Sequence, residues 1–171
     1  MGDPAVDYAP RETILVVDDT PANLTLMSGL LREQYRIKVA NGGEKAIAIA
    51  QADPPDLILL DITMPGLSGY DVCQRLKVNP ATRDIPIVFL TAMTSVEDEK
   101  RGLDLGAVDY ITKPISPPIV LSRVATHLKV KAAADFLKDK TVFLEIEEEF
   151  AQIAERFADS EEDVKAKART A

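Results

Sequence analysis

The stretch Leu57-Ile58-Leu59-Leu60-Asp61, followed by Ile62-Thr63-Met64-Pro65-Gly66, decides the fold. Four consecutive aliphatic residues predict a strand that is buried on both faces, as the strands of parallel sheets are. Asp61 stands where that strand ends, and open α/β proteins hold their ligands at the carboxyl ends of their strands. The stretch therefore predicts an α/β fold with an acidic site at the edge of its sheet.

Charged or hydroxyl side chains end three other aliphatic runs as well. The carboxyl ends of parallel strands meet at one edge of a sheet, so these side chains are expected to converge there with Asp61. The side chains are Asp18 and Asp19 after residues 14–17, Thr91 after residues 87–90, and Lys113 after residues 110–112.

Short β-branched or leucine-rich runs alternate with helical patterns through most of the chain. The alternation predicts five βα units that form a (βα)5 doubly wound parallel sheet with helices on both faces. The predicted strands are 13–17, 36–39, 57–61, 86–91 and 109–111. The predicted helices are 21–33, 43–52, 69–78, 95–105 and 117–129.

The 171 residues divide into three parts. Residues 1–11 hold prolines and charges without periodicity, which predicts a flexible N-terminal arm. Residues 12–129 carry the βα units and are long enough for one domain with its own core. Residues 130–171 contain neither proline nor glycine, which predicts a helical C-terminal extension.

Apolar residues recur every seven positions in this extension, as they do in helices that pack along one another. The repeating residues are Phe136, Phe143, Phe150, Phe157 and Val164, with Ile146 and Ile153 three positions after two of them. Polar residues, Asp139, Ser160 and Lys167, occupy the remaining positions of the second series. The pattern favours a homodimer joined by a coiled coil, and an amphipathic helix that folds back on its own domain stays open as the alternative.

Composition excludes several classes of function. A formal charge of −8 and an isoelectric point near 4.7 argue against nucleic-acid binding, which needs a basic face. The single cysteine, Cys73, excludes a disulfide within the chain, and residues 1–11 lack the pattern of a secretory signal. No apolar run reaches the length of about 18 residues that a membrane span needs. We therefore expect a cytoplasmic protein that contacts neither nucleic acid nor membrane.

The acidic residues at the sheet edge suit a hard divalent cation. Mg²⁺ prefers oxygen ligands, and it keeps positions open for water or phosphate oxygens. Asp18, Asp19 and Asp61 are therefore candidate Mg²⁺ ligands, and their mutual repulsion calls for a compensating cation, either the metal or Lys113. With a phosphoryl group on Asp61, Lys113 and the hydroxyl of Thr91 could each bind one phosphoryl oxygen, as phosphoryl transfer requires.

The set of motifs resembles the receiver domain of two-component system response regulators. The matching motifs are Asp18-Asp19, Asp61 before Met64-Pro65-Gly66, Thr91-Ala92, Tyr110 and Lys113-Pro114, within residues 12–129. The resemblance implies a flavodoxin-like fold in which Asp61 is phosphorylated by a sensor histidine kinase or a phosphotransfer protein. It also implies that Asp18, Asp19 and Asp61 bind Mg²⁺ together with the backbone carbonyl of Thr63.

The resemblance implies roles for three further residues. Lys113 would assist phosphoryl transfer, and Thr91 and Tyr110 would form the switch pair of this phosphorelay module. Phosphorylation would then change the face made by the fourth helix, the fifth strand and the fifth helix, and through it the C-terminal extension. Apart from autocatalytic phosphotransfer and dephosphorylation, no enzymatic activity is implied.

Two other functions stay open. A phosphohydrolase of the haloacid-dehalogenase type also uses an aspartate nucleophile and Mg²⁺, but it needs a second aspartate two residues later, where this chain has Thr63. A structural adaptor would act through self-association of the extension alone. Residues 109–118, which lead into a charged helix, look like the end of receivers that precede cyclic-dinucleotide phosphodiesterase or similar signalling domains.

Two reactive residue types are interpreted as structural. Cys73 lies on a predicted amphipathic helix between apolar residues, as a buried hydrophobe does. His127 lies at the end of the fifth predicted helix, where its charge suits the helix dipole, and the neighbouring sequence suggests no partner for a proton relay.

Overall fold

The computed structural model describes the backbone of residues 11–92 and 95–169 and the side chains up to residue 156. Almost all of the predicted N-terminal arm lies outside the described residues. So do the side chains of Phe157, Ser160, Val164 and Lys167, and the predictions made for them are therefore not addressed by the structure.

Five strands and five helices alternate along the chain. The strands are β1 (Thr13–Val17), β2 (Arg36–Ala40), β3 (Leu57–Asp61), β4 (Ile87–Thr91) and β5 (Asp109–Thr112). The helices are α1 (Pro21–Leu31), α2 (Gly43–Ala52), α3 (Gly69–Val78), α4 (Val96–Asp104) and α5 (Pro117–Arg169). Each predicted element is present, with boundaries that differ by no more than two residues except at the end of α5.

The strands form one parallel sheet in the order β2-β1-β3-β4-β5. The order reverses next to β1, so the carboxyl ends of β1 and β3 flank the crevice that such sheets use for ligands. The predicted (βα)5 doubly wound fold is confirmed.

Alternate residues of each strand face opposite sides of the sheet, and each side has its own apolar core. In β3, Ile58 and Leu60 join the core that contains Val72 and Leu76 of α3. Leu57 and Leu59 face the other core, which the buried side chains of α1 and α5 complete. Because β3 is buried on both sides, its sequence is an uninterrupted aliphatic run.

Helix α5 continues well beyond the predicted residue 129, because nothing in its sequence breaks the helix there. The chain divides into two compact units, Met1–Lys131 and Ala132–Ala171. Leu128 is the last buried residue of the first unit. In the second unit the large apolar side chains that the structure describes are all exposed: Phe136, Leu137, Val142, Phe143, Leu144, Ile146, Phe150 and Ile153.

Membrane insertion has no support in the helices that the structure describes. Not one of them combines the length and the apolar character that crossing a bilayer would require.

Candidate functional site

Asp61 is the last residue of β3, and its side chain is almost fully buried. The loop after it turns sharply back on the strand, since the backbone N–H of Gly69 donates a hydrogen bond to the carbonyl oxygen of Ile62 at 2.8 Å. A Cβ at position 69 would collide with the backbone of Asp61 and Ile62. Glycine at this position therefore lets α3 begin directly against the end of β3.

Asp18 and Asp19 follow β1, the strand that pairs with β3. One carboxylate oxygen from each of them and one from Asp61 lie within 4.8 Å of one another. The structure thus brings together the three acids that the sequence predicts to meet. Asp18 is 1% exposed and Asp61 6% exposed, and Asp19 is the acid most open to solvent.

The carboxylate of Asp18 accepts three hydrogen bonds. The backbone N–H of Thr20 donates to Oδ1 at 2.8 Å. The amide nitrogen Nδ2 of Asn23 donates to Oδ2 at 2.9 Å, and Nζ of Lys113 donates to the same oxygen at 3.1 Å. These donors hold a nearly solvent-free carboxylate, which would otherwise be costly to bury.

Lys113 connects two of the acids across the sheet edge. Its Nζ lies 3.1 Å from Oδ2 of Asp18 and 3.3 Å from Oδ1 of Asp61. Its backbone N–H donates to the carbonyl oxygen of Thr91 at 2.7 Å, which ties its position to β4. Burial lowers the pKa of Lys113, but the hydrogen bond to Asp18 and the charge of Asp61 outweigh burial, and the net pKa is raised.

The electrostatic environment of Asp61 disfavours its charged form. Burial raises the pKa of Asp61, the ammonium of Lys113 opposes that rise, and the charge of Asp18 adds to it, so the pKa lies above its usual value. A hydrogen bond from the backbone N–H of Thr63 also favours the carboxylate. The side chain of Thr63 is exposed, in the loop where a backbone ligand was predicted.

The residues fit a hard divalent cation. The clustered groups offer only oxygen atoms, and three carboxylates face the one ammonium of Lys113, so further positive charge would be stabilised there. A softer metal would prefer nitrogen or sulfur ligands. The only histidine, His127, instead contacts Asp109, and the only cysteine, Cys73, is buried in the apolar core.

Thr91 and Tyr110 line the same small cavity, together with Phe89 and Gly102 among others. Thr91 ends β4 and is buried, whereas Tyr110 of β5 is partly exposed. The cavity measures about 10 Å³, no more than the space of one water molecule. The two predicted switch residues are therefore neighbours, but the ring of Tyr110 could enter this space only if the lining moved.

The hydroxyl of Tyr110 is held by Glu99 of α4. This hydrogen bond raises the pKa of Tyr110, and burial and the charge of Glu99 raise it further. Tyr110 is thereby joined to α4 through a residue that also lines the cavity.

Asp109, next to Tyr110, connects β5 to α5. Nη1 of Arg123 lies 2.6 Å and 2.7 Å from its two carboxylate oxygens, and Nε2 of His127 lies 2.8 Å from Oδ2. Burial raises the pKa of Asp109, but the hydrogen bonds with Arg123 and His127 outweigh it, and the pKa is lowered. His127 therefore has a partner that its neighbouring sequence does not reveal, and the pair joins two structural elements.

Sequence reasoning missed Asn23, Glu99 and Asp109. Asn23 stands five residues after Asp18, at a spacing that becomes a contact only because the β1–α1 turn brings the first turn of α1 back over the strand end. The contacts of Glu99 and Asp109 join different elements. No local pattern could have indicated them, since they depend on the packing of α4 and α5 against β5.

The sequence matches the family described as the response regulator receiver domain over residues 14–125. Over 135 residues it is 50% identical to a "Probable cyclic di-GMP phosphodiesterase" of Vibrio cholerae, covering 79% of this chain and 31% of that protein. Over 128 residues it is 43% identical to the response regulator PleD of Caulobacter vibrioides, covering 74% of this chain and 28% of PleD. The chain thus spans about a third of the length of these curated relatives.

Solved structures show the same fold. The chemotaxis protein CheY4 of Vibrio cholerae superimposes with a TM-score of 0.65 at 28% identity, covering 68% of this chain and 98% of CheY4.

Proposed function

This chain belongs to the response regulator receiver family, and we propose that it is a phosphoacceptor module for a histidine kinase or a phosphotransfer protein. The observation that carries the proposal is the position of the Lys113 ammonium, 3.1 Å from Asp18 and 3.3 Å from Asp61. A cation shared between two buried carboxylates is available to any new negative charge formed on either one.

Asp61 is the proposed nucleophile. One of its carboxylate oxygens attacks the phosphorus of a phosphohistidine, a new P–O bond forms, and the P–N bond breaks. The electron pair of that bond leaves with the imidazole of the donor. The pKa of Asp61 is raised because burial destabilises its carboxylate, so the charged form depends on the neighbouring ammonium of Lys113.

The surrounding groups hold the transferred group. We assign Lys113 and the hydroxyl of Thr91 to its oxygens, and Asp18, Asp19, Asp61 and the backbone carbonyl of Thr63 to Mg²⁺. When bound, Mg²⁺ would neutralise charge on the phosphoryl oxygens. The oxygen-only ligand set of the three acids supports this assignment.

The proposed signal leaves the site through Thr91 and Tyr110. If the hydroxyl of Thr91 turns toward the phosphoryl group, the volume behind it must be refilled, because protein interiors are close-packed. Tyr110 borders that volume, and its movement would break its hydrogen bond to Glu99 of α4. The face made by α4, β5 and α5 is therefore the element proposed to change.

A groove beside the site supports the approach of a macromolecular donor. It measures about 260 Å³ and is lined by residues of α1 and by residues after β5, among them Asp18, Lys113, Leu26 and Ile115. Leu26 is 57% exposed, and α1 contains no charged residue. An uncharged helix next to an acidic site suits a partner that buries apolar surface there.

The second unit supports self-association as part of the proposed function. Phe136, Phe143 and Phe150 repeat every seven residues, and all three are exposed in the single chain. A second copy of the extension would bury them along one face. A cytoplasmic location belongs to this proposal too.

The test of the proposed function is phosphate uptake from a small acyl phosphate, followed by intact-mass measurement. The wild type should gain one phosphoryl group only with Mg²⁺ present, and Asp61→Asn should gain none. A simple phosphomonoester, offered in parallel, should show negligible turnover. Equal uptake by wild type and Asp61→Asn, or rapid phosphomonoester hydrolysis, would refute the assignment, and the second result would favour a phosphohydrolase.

A further inference from the structure

Asn23 contacts the acidic site although the phosphoacceptor role outlined above does not use it. It is the third residue of α1 and is partly buried, and its Nδ2 lies 2.9 Å from Oδ2 of Asp18. Its backbone N–H is already used by the carbonyl oxygen of Thr20. Among the described contacts, the side-chain amide of Asn23 makes one hydrogen bond, the one to Asp18.

Asn23 and Lys113 share one acceptor atom. Both donate to Oδ2 of Asp18, at 2.9 Å and 3.1 Å, while the backbone of Thr20 occupies Oδ1. The two donors differ in kind. Asn23 has a short, neutral side chain and lies in a helix, whereas the long, flexible side chain of Lys113 carries a charge and also reaches Asp61.

This difference matters once Asp61 is phosphorylated. The ammonium of Lys113 would then be drawn to the new phosphoryl charge and away from Oδ2 of Asp18. A buried carboxylate that loses a donor without replacement is strongly disfavoured. Asn23 remains on Oδ2, so Asp18 keeps a hydrogen bond there while Lys113 moves.

We propose that Asn23 is a positioning residue that fixes the carboxylate of Asp18 and thereby releases Lys113 for phosphoryl transfer. The proposal rests on the phosphoacceptor function of Asp61. Asn23 would have two effects. It would orient Asp18, a candidate Mg²⁺ ligand, without itself binding the metal, and it would make Asp18 hold Lys113 less tightly. Partners that orient metal ligands in this way commonly change metal affinity or activity by at least about tenfold.

The test compares Asn23→Leu and Asn23→Ala with Thr25→Ala. Leucine keeps the branched outline of asparagine and leaves no cavity, whereas alanine is the better helix former. The two variants therefore disturb α1 in different ways, and an effect shared by both is attributed to the lost amide. Thr25 lies on the same helix, and among the described contacts its hydroxyl donates to the carbonyl oxygen of Pro21 alone. It therefore serves as the matched control for a lost side-chain hydrogen bond on α1.

Two readouts are measured on the full chain. Calorimetric titration with Mg²⁺ should show about tenfold weaker binding for both Asn23 variants and no change for Thr25→Ala. At saturating Mg²⁺, the initial rate of phosphate uptake from an acyl phosphate should also fall for the Asn23 variants alone. A role limited to fold stability would lower the thermal midpoint without changing either quantity.

Unchanged Mg²⁺ affinity and unchanged uptake rate in Asn23→Leu would overturn the proposal, as would an equal loss in Thr25→Ala. The failure of the phosphoacceptor function itself looks different, because the wild type would then take up no phosphate. In that case the calorimetric comparison still decides whether Asn23 positions Asp18.

Discussion

Asp61 combines two properties that oppose each other in a buried residue. It is nearly excluded from solvent, and it stands beside another buried carboxylate, Asp18, with Lys113 as the shared counter-charge. Its pKa is raised because burial and Asp18 together outweigh Lys113. The folded state thus tolerates a carboxylate that it does not favour, as functional sites commonly do.

The unfavourable environment of the Asp61 carboxylate predicts that neutralising this residue stabilises the fold. A carboxyl group with a raised pKa in the folded state destabilises the fold as pH rises from the ordinary value of 3.8 through the folded value, and the loss persists at neutral pH. Without divalent cations, Asp61→Asn should therefore raise the free energy of unfolding at pH 7, on the order of 1 kcal/mol. Urea denaturation with a chelator present measures the difference.

A matched control lies at the opposite end of the sheet. Asp56 accepts a hydrogen bond from the backbone N–H of Thr13 at 2.7 Å, away from the acidic cluster. Asp56→Asn should bring no gain in stability. If Asp61→Asn is less stable than the wild type in the presence of the chelator, burial and repulsion by Asp18 do not destabilise the Asp61 carboxylate as inferred.

The pKa of Asp109 is shifted in the opposite direction from that of Asp61. Its pKa is lowered by Arg123 and His127, so its contribution to stability is full above the ordinary value of 3.8 and is lost as pH falls through the lower folded value. Asp109→Asn should lower the free energy of unfolding by only about 1 kcal/mol near neutral pH, because about half of the Arg123 side chain is exposed and solvent screens the ion pair. The stability difference between wild type and variant, measured by denaturation at several pH values, should shrink below about pH 4. A difference that is constant with pH would contradict the pairing.

The strands and helices could be predicted from local sequence patterns, whereas the contacts between them, which depend on tertiary packing, could not. The aliphatic run of β3 is buried on both sides, so the strand and its terminal acid could be placed from residues 57–61 alone. Contacts such as those of Asp109 with Arg123 and His127 join β5 to α5 over more than a dozen residues. They depend on the angle at which α5 crosses the sheet, which no local pattern encodes.

The close contact between the start of α3 and the end of β3 predicts the effect of a substitution at Gly69. Gly69 sits so close to the end of β3 that a Cβ would lie 2.7 Å from Cα of Ile62 and closer still to the backbone of Asp61. Gly69→Ala should therefore destabilise the fold by about 2–3 kcal/mol and weaken Mg²⁺ binding, because the loop after Asp61 must shift. Thermal denaturation and Mg²⁺ titration measure the two effects.

Gly29 provides the matched control for Gly69. It lies within α1, and nothing stands within 4 Å of a Cβ placed there. Gly29→Ala should stabilise the protein, by up to about 1 kcal/mol, because alanine is the better helix former. If both variants behave alike, the close approach at Gly69 is not what holds the loop.

At the scale of the whole molecule, the exposed apolar residues of the second unit predict self-association. Phe143→Asp combined with Phe150→Asp should give a monomer, since each buried phenylalanine contributes roughly 1.5–3 kcal/mol to such an interface. A chain that ends at Lys131 should also be monomeric and should still take up phosphate. Sedimentation of these forms against the full chain measures the outcome.

The control for this prediction adds the same charge off the heptad face. Thr141→Asp with Gln152→Asp should leave the association intact, because positions 141 and 152 lie outside the repeat of Phe136, Phe143 and Phe150. A full chain that is monomeric at roughly tens of micromolar, or a truncated chain that dimerises equally well, would show that the repeat is not an interface between copies.

The assignment of Asp61 as the phosphoacceptor is tested by identifying the phosphorylated residue. Borohydride converts an aspartyl phosphate to homoserine, so the chain is incubated with an acyl phosphate, reduced and mapped by peptide mass. We expect homoserine at position 61, only in samples that contained Mg²⁺. Homoserine at Asp18 or Asp19 instead, or none at all after demonstrated phosphate uptake, would contradict the assignment of Asp61 as the phosphoacceptor.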